Sequence, residues 1–260
     1  MKKLLALIFI LPFFMACDNI PESDRYIDTG PVNVQRKVLL EEFTGQRCVN
    51  CPDAHRIIES LEEQYGSNLI VVSIHAGPFG VKVPMGLRTT EGDTYAEHWG
   101  VTSYPAGVVD RNSGVLSMDS WASVIRKDIE LTSDLQLSLS ARTSEDGETI
   151  EIFTTMVSPA PMDGFLQLWI VESGIVAFQI DGGETINDYV HNNVFRAAVN
   201  GLWGEATALE ANVVKYVSNT ISIDQFWNKE NLSVVGFYYT SSGVVQVEKC
   251  AVDTTPASAD

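Results

Sequence analysis

Cys48 and Cys51 stand with two residues between them in the stretch LLEEFTGQRCVNCPDAHRIIESL, Leu39 to Leu61. Two thiols at that spacing can cycle between dithiol and disulfide: one thiolate attacks, and the other resolves the mixed disulfide. They can supply half of a four-ligand zinc site. They can also close a small disulfide that only staples a loop. The zinc reading needs further soft ligands, but Cys250, His55, His75, His98 and His191 are scattered singly, so no metal is expected. No cofactor is expected either. Arg47 directly precedes the first thiol, and its charge favours a thiolate there.

The elements that must position this pair can be read from periodicity. Arg36–Phe43 carries the apolar run Val38–Leu40 and reads as a buried strand. Ala54, Ile57, Ile58, Leu61 and Tyr65 repeat at helical spacing, and Gly66 is a natural stop. A helix beginning near Cys48 or Val49 tolerates Pro52 in its first turn. Cys48 would then sit at a helix N-terminus, where free N–H groups favour negative charge. Cys51 would lie one turn deeper as the resolving thiol. By the same periodicity His55 falls on the helix surface. Asn68–His75 reads as a second buried strand; its last residue, His75, either tunes Cys48 or is a structural hydrogen-bonding histidine. The connection Ala76–Gly92 is long enough for a lid or groove wall. A short helix in DTYAEHWGV, a strand, turn and return strand in SYPAGVVDRNSGVL, and a helix in MDSWASVIRKDIE capped by Asp119 or Ser120 complete this half.

A CxxC pair opening a helix after a buried strand, followed by SYPAGVVD, resembles a thioredoxin-like domain. The resemblance covers roughly residues 35–131. It implies a cis Tyr104–Pro105 bond, with Pro105 shaping a peptide groove and the Tyr104 backbone pairing with an extended substrate beside Cys48. It further implies that Glu42, six residues before Cys48, is a buried acid moving the proton of Cys51; an exposed strand-end carboxylate is the other reading. Departures from the family are Arg47 in place of the usual Trp and Val49-Asn50 between the cysteines.

The N-terminus places the molecule in a cell. MKKLLALIFILPFFMAC has a charged start, a short apolar run and a small residue before Cys17. FMAC resembles a bacterial lipobox, with Phe14 where Leu is usual. It implies a signal peptide over 1–16, lipidation of Cys17, and membrane attachment through the anchor rather than a span. An acidic linker would follow over 17–34. Disulfides persist in such an envelope compartment. The formal charge is −17, and loss of Lys2 and Lys3 makes the mature chain more acidic still. That balance argues against nucleic acid.

Residues 132–253 change character. About seven β-type runs follow: Leu135–Arg142, Thr149–Val157, Phe165–Glu172, Asn192–Asn200, Ala211–Ile223, Leu232–Tyr239 and Val244–Val252. Short alternating strands with turns between them predict an antiparallel sandwich of immunoglobulin-like type. The expected fold is thus an α/β thioredoxin-like domain followed by an all-β immunoglobulin-like sandwich, with a flexible tail over 254–260. Cys250 is left without a partner.

The lipobox, linker, CVNCP and HNNVFRAA (His191–Ala198) together resemble the Omp-twenty-eight-related outer-membrane lipoproteins of Bacteroidetes-type bacteria. The resemblance implies an outer-membrane location. Two functions remain open: anchored thiol–disulfide exchange on envelope or surface proteins, or non-catalytic surface binding and adhesion with a structural Cys48–Cys51 disulfide.

Overall fold

The apolar run Val38–Leu40 opens a strand in which every residue is buried, two glutamates included. The structure is a computed structural model that describes residues 34–254; the leader, Cys17, the linker before Val34 and the tail after Thr254 lie outside the described residues. In chain order the elements are β1 (Val34–Gln35), β2 (Val38–Thr44), α1 (Cys51–Tyr65), β3 (Leu69–His75), α2 (Thr90–Trp99), β4 (Ala106–Val109) and α3 (Met118–Ile129). Then follow β5 (Thr132–Ser133), β6 (Gln136–Thr143), β7 (Thr149–Val157), β8 (Met162–Glu172), β9 (Ile175–Asp181) and β10 (Glu184–His191). The last elements are β11 (Val194–Ala198), β12 (Glu205–Leu209), β13 (Lys215–Ser222), β14 (Leu232–Thr240) and β15 (Gly243–Asp253).

The chain is mostly β-sheet with few helices. Among the described residues, an 11-stranded sheet runs β13-β7-β6-β15-β14-β8-β11-β3-β2-β4, with β12 added on β8. β2 and β3 are parallel and β4 is antiparallel to β2, with Phe43 opposite Ala106. The composition changes near residue 131, yet the sheet runs on across that point: β11 pairs with β3 at Val194 and Ser73. The core does the same. Leu39, Phe43, Ile70 and Val72 share one apolar cluster with Trp169, Phe195, Val235 and Phe237. A second cluster joins β6 and β7 (Leu137, Ile152) to β8 and β14 (Leu168, Val234).

On the other face of β2, Val38 and Leu40 pack under α1 and α3 against Ala54, Ile58, Leu61, Trp121 and Ile125. Burying Ile58 and Leu61 contributes about 2 kcal/mol each before conformational entropy is counted. Gly66 ends α1 at φ 54, a conformation that glycine adopts freely.

Several local expectations are corrected. Helix α1 starts at Cys51, not at Cys48 or Val49, with Asn50 as N-cap and Pro52 just inside. Cys48 therefore lies in the loop before the helix, and Cys51 is its first residue rather than one turn in. Helix α3 is preceded by Ser117, not by a cap at Asp119 or Ser120. The expected return strand after Asn112–Gly114 shrinks to a single bridge between Gly107 and Leu116. The connection after β3 ends in helix from Thr90, capped by Thr89, whose Oγ1 accepts from Gly92 N. Strands β9, β10 and β12 were not anticipated. The Gly182-Gly183 turn between β9 and β10 was the available signal.

Candidate functional site

The loop from Gly45 to Asn50 carries the cysteines from the end of β2 into α1. Gly45 has a packing reason: a Cβ there would sit 2.5 Å from the Phe79 carbonyl carbon. Arg47 N donates to Phe79 O and Cys48 N to Gly45 O, so the loop is pinned by backbone. Cys48 and Cys51 form a disulfide with Cα atoms 5.4 Å apart. Neither is open to solvent; Cys48 is 2% exposed and Cys51 0%. Arg47 points outward and is exposed.

The Tyr104–Pro105 bond is cis. The register of β2 with β4 brings Pro105 to the same sheet edge from which the cysteine loop leaves. The Tyr104 ring packs edge-on against Phe79, centroids 5.7 Å apart. Tyr104, Pro105, Phe79 and the cysteine loop thus gather at one edge of β2.

Glu42 is buried, so its reading as an exposed strand-end carboxylate is corrected. It faces the α1 side of the sheet. Ser73 Oγ donates to Glu42 Oε2 at 2.6 Å. His55 Nε2 lies 3.2 Å from Glu42 Oε1 and 3.1 Å from Thr44 Oγ1. His55 is therefore not the surface residue that periodicity suggested. It sits one turn after Cys51 with its ring turned in, and its Nδ1 meets Tyr189 Oη at 2.7 Å. Burial works to lower the His55 pKa, but the Glu42 carboxylate outweighs it, and the net effect is a rise. A protonated His55 can donate from both ring nitrogens, to Glu42 and to Tyr189.

His75 does not tune Cys48 by any contact seen here. Its ring packs edge-on against His191, centroids 5.2 Å apart. Burial, then His191, pushes its pKa well down. Burial and His55 lower His191 to about 4. These histidines, Tyr189, Glu59 and Glu62 line a cavity of about 40 Å³ beside α1, room for a water or two. Among the described residues, no group of three or more His, Cys, Asp or Glu is placed to hold a metal. Cys250 is a free, half-buried thiol, which burial and Glu248 raise to about 11.

The cover over the disulfide comes from the second half. Gln179 on β9 donates from Nε2 to Cys48 O at 3.1 Å and to Gly45 O at 3.3 Å. Ile180 N donates to Gln46 O at 2.9 Å, and Gln46 Nε2 donates back to Phe178 O at 3.2 Å. The sequence reading missed Gln179 and Tyr189, since no local pattern links them to residues 131 and 134 positions earlier.

Residues 92–256 match the family model described as outer membrane protein Omp28. The chain belongs to that family. This places it at the outer membrane. The cysteine pair lies before the matched segment, so membership says nothing of its chemistry. Among solved structures, the chain resembles HBP35 of Porphyromonas gingivalis, with a TM-score of 0.69 and 14% identity over 87% of this chain and 79% of that one. It also resembles a structural-genomics target from Agrobacterium tumefaciens, with a TM-score of 0.52 and 10% identity over 87% and 96%. Both likenesses concern fold alone. A domain of the outer membrane lipoprotein Omp28 from Porphyromonas gingivalis aligns at 18% identity over 47% of this chain and 91% of that one. Its TM-score of 0.34 carries no structural argument. No curated protein sequence matches the chain. No helix among the described residues is long and apolar enough to cross a membrane.

Proposed function

We propose that the first half is a thioredoxin-like unit and the second an immunoglobulin-like sandwich. On this reading the protein exchanges thiols and disulfides with envelope or surface proteins while a lipid on Cys17 holds it at the outer membrane. The observation that carries the reading is a disulfide at the start of α1, on the helix that also brings His55 onto the buried carboxylate Glu42. A loop staple has no need of a buried titratable pair, and burying one is costly.

A client thiolate attacks Cys48 Sγ, the Cys48–Cys51 bond breaks, and Cys51 leaves as a thiolate that takes up a proton. A second client thiolate attacks the client sulfur of the mixed disulfide. Cys48 leaves, the client is oxidised by two electrons, and the protein becomes a dithiol. Arg47 and the free N–H groups at the start of α1 favour the thiolate forms. Glu42 and His55 are the titratable pair that serves the Cys51 proton.

A second reading, a surface-binding protein with an inert disulfide, draws on the burial of Cys48. The reduction potential separates the two. The chain lacking residues 1–17 is equilibrated against dithiothreitol mixtures and its free thiols are counted by alkylation and mass. A potential between about −120 and −270 mV marks an exchange catalyst, whereas one below about −300 mV marks a structural disulfide and sinks the exchange reading.

A further inference from the structure

The hairpin that covers the disulfide is built unlike the rest of the molecule. Among the described residues, β9 and β10 pair only with each other and stand outside the large sheet. Of their residues, only Gln179 and His191 are buried. None of them belongs to the three apolar clusters. Apart from the ring of His191, the last residue of β10, which packs against His75, the hairpin is held down by polar contacts: Gln179 to Cys48 O and Gly45 O, Ile180 N to Gln46 O, Gln46 to Phe178 O, Tyr189 Oη to His55, and Asp181 to Arg56. Each can be exchanged for water on opening. An element with few buried apolar contacts is one that opens locally without unfolding the whole. The covering is also specific in kind. A backbone N–H of β9 and an amide side chain occupy the carbonyls of Gly45, Gln46 and Cys48, which an extended chain approaching Cys48 would otherwise meet.

We propose that the β9–β10 hairpin is a gate over the Cys48–Cys51 disulfide, latched by Gln179 and Tyr189, and that an extended client segment must displace it to reach Cys48. The purpose of the gate rests on the exchange reading; its geometry does not. Gln179 and Tyr189 are positioning residues. They hold the closed form, Gln179 through the loop carbonyls and Tyr189 through His55. With the gate shut, Cys48 Sγ is screened from small thiols in solution. With it lifted, Gln46 O is free for a client backbone, and Gly45 O and Cys48 O, which keep their turn bonds from Cys48 N and Cys51 N, each regain one accepting position.

The test is the rate at which dithiothreitol reduces the disulfide in the chain from Asp18 onward, which keeps every described residue. One dithiothreitol thiolate attacks Cys48 and displaces Cys51; the second closes the cyclic disulfide and releases Cys48. Reduction is followed by quenched alkylation and mass. Gln179→Ala and Tyr189→Phe should each speed reduction about 5-fold, the value of one or two net hydrogen bonds in the opening equilibrium. Ile152→Val, in the apolar core away from the hairpin, should leave the rate unchanged while lowering stability. Hydrogen exchange gives a readout in the unmutated protein. The Ile180 amide should exchange well before Val71 and Val171 of the large sheet. Equal reduction rates in all variants, or an Ile180 amide that exchanges only with those core amides, would overturn the gate. The rates judge the gate and the equilibrium potential judges exchange, so either can fail alone.

Discussion

Glu41 and Glu42 are neighbours on β2, both fully buried, and they face opposite sides of the sheet. Glu41 accepts from Arg111 Nε at 2.8 Å, and that guanidinium lies among aromatic rings, 4.6 Å from the Phe237 centroid and 4.7 Å from that of Tyr239. Glu42 meets Ser73 and His55. One glutamate is paired with a cation that never loses its proton, inside an aromatic box. The other is paired with a histidine whose pKa is raised above its ordinary value, on the helix that begins at Cys51. The permanent pair can only hold structure together. The titratable pair can hold or hand on a proton. On the exchange reading proposed above, the difference separates a structural corner from a chemical one within two consecutive residues.

The comparison breaks first at Arg111. Arg111→Met leaves Glu41 buried without a counter-charge and should cost about 3–5 kcal/mol in urea unfolding, with the double change Glu41→Gln, Arg111→Met recovering much of it. If the single change costs under 1 kcal/mol, the structural reading of that corner is wrong. Glu42→Ala comes next. It strips Ser73 Oγ and His55 of their acceptor and should cost about 1–3 kcal/mol. NMR titration should show the His55 pKa falling in that variant, because the carboxylate that outweighs burial has gone.

Acid pH sharpens the same contrast. His191 has a folded pKa of about 4, below its ordinary value, and His75 is also lowered. Both are neutral in the fold, so the unfolded chain binds their protons first. The His191 contribution is complete above about pH 6.5 and is lost as pH falls toward 4, at up to about 1.4 kcal/mol per pH unit, and that of His75 is lost in the same direction. His55 is raised and works the other way: its contribution is complete below the ordinary histidine value and is lost as pH climbs through the raised one. In urea unfolding between pH 7 and pH 5, His191→Phe should therefore lose less stability on acidification than the wild type does; Asp110, raised by burial to about 7, pulls toward a gain in both proteins alike. The double change Glu41→Gln, Arg111→Met should leave the wild-type slope as it is. The smallest effect is expected at the exposed pair Arg142–Glu151. Arg142→Ala should cost less than about 1 kcal/mol in the same assay, and high salt should erase the difference.

Much of this was legible in the chain. The 3.6-residue period of Ala54, Ile58 and Leu61 marks α1, and Gly66 marks its end. Most strands after residue 131 show in their alternation. The cysteine spacing, the X–Pro step at Tyr104 and the carboxylate six residues before Cys48 are local patterns that a single pass can find. These follow from short-range physics: side-chain period, backbone freedom and turn chemistry. What surrounds the cysteines was decided elsewhere. Ser73 reaches Glu42 from 31 residues away, and Tyr189 reaches His55 from 134. The inward turn of His55 depends on where α1 lies over β2, which its own periodicity leaves undetermined at the edge of the apolar stripe. The hairpin over the disulfide is polar and thin, so it carries little of the hydrophobic signal by which strands are found. Its role arises only when the sheet continues from β3 through β11 into the second half. A pair of cysteines can be read from sequence because reactivity needs residue types at a spacing. Whether they are open or closed is set by packing between segments far apart in the chain, where the free energy of contact has no local trace.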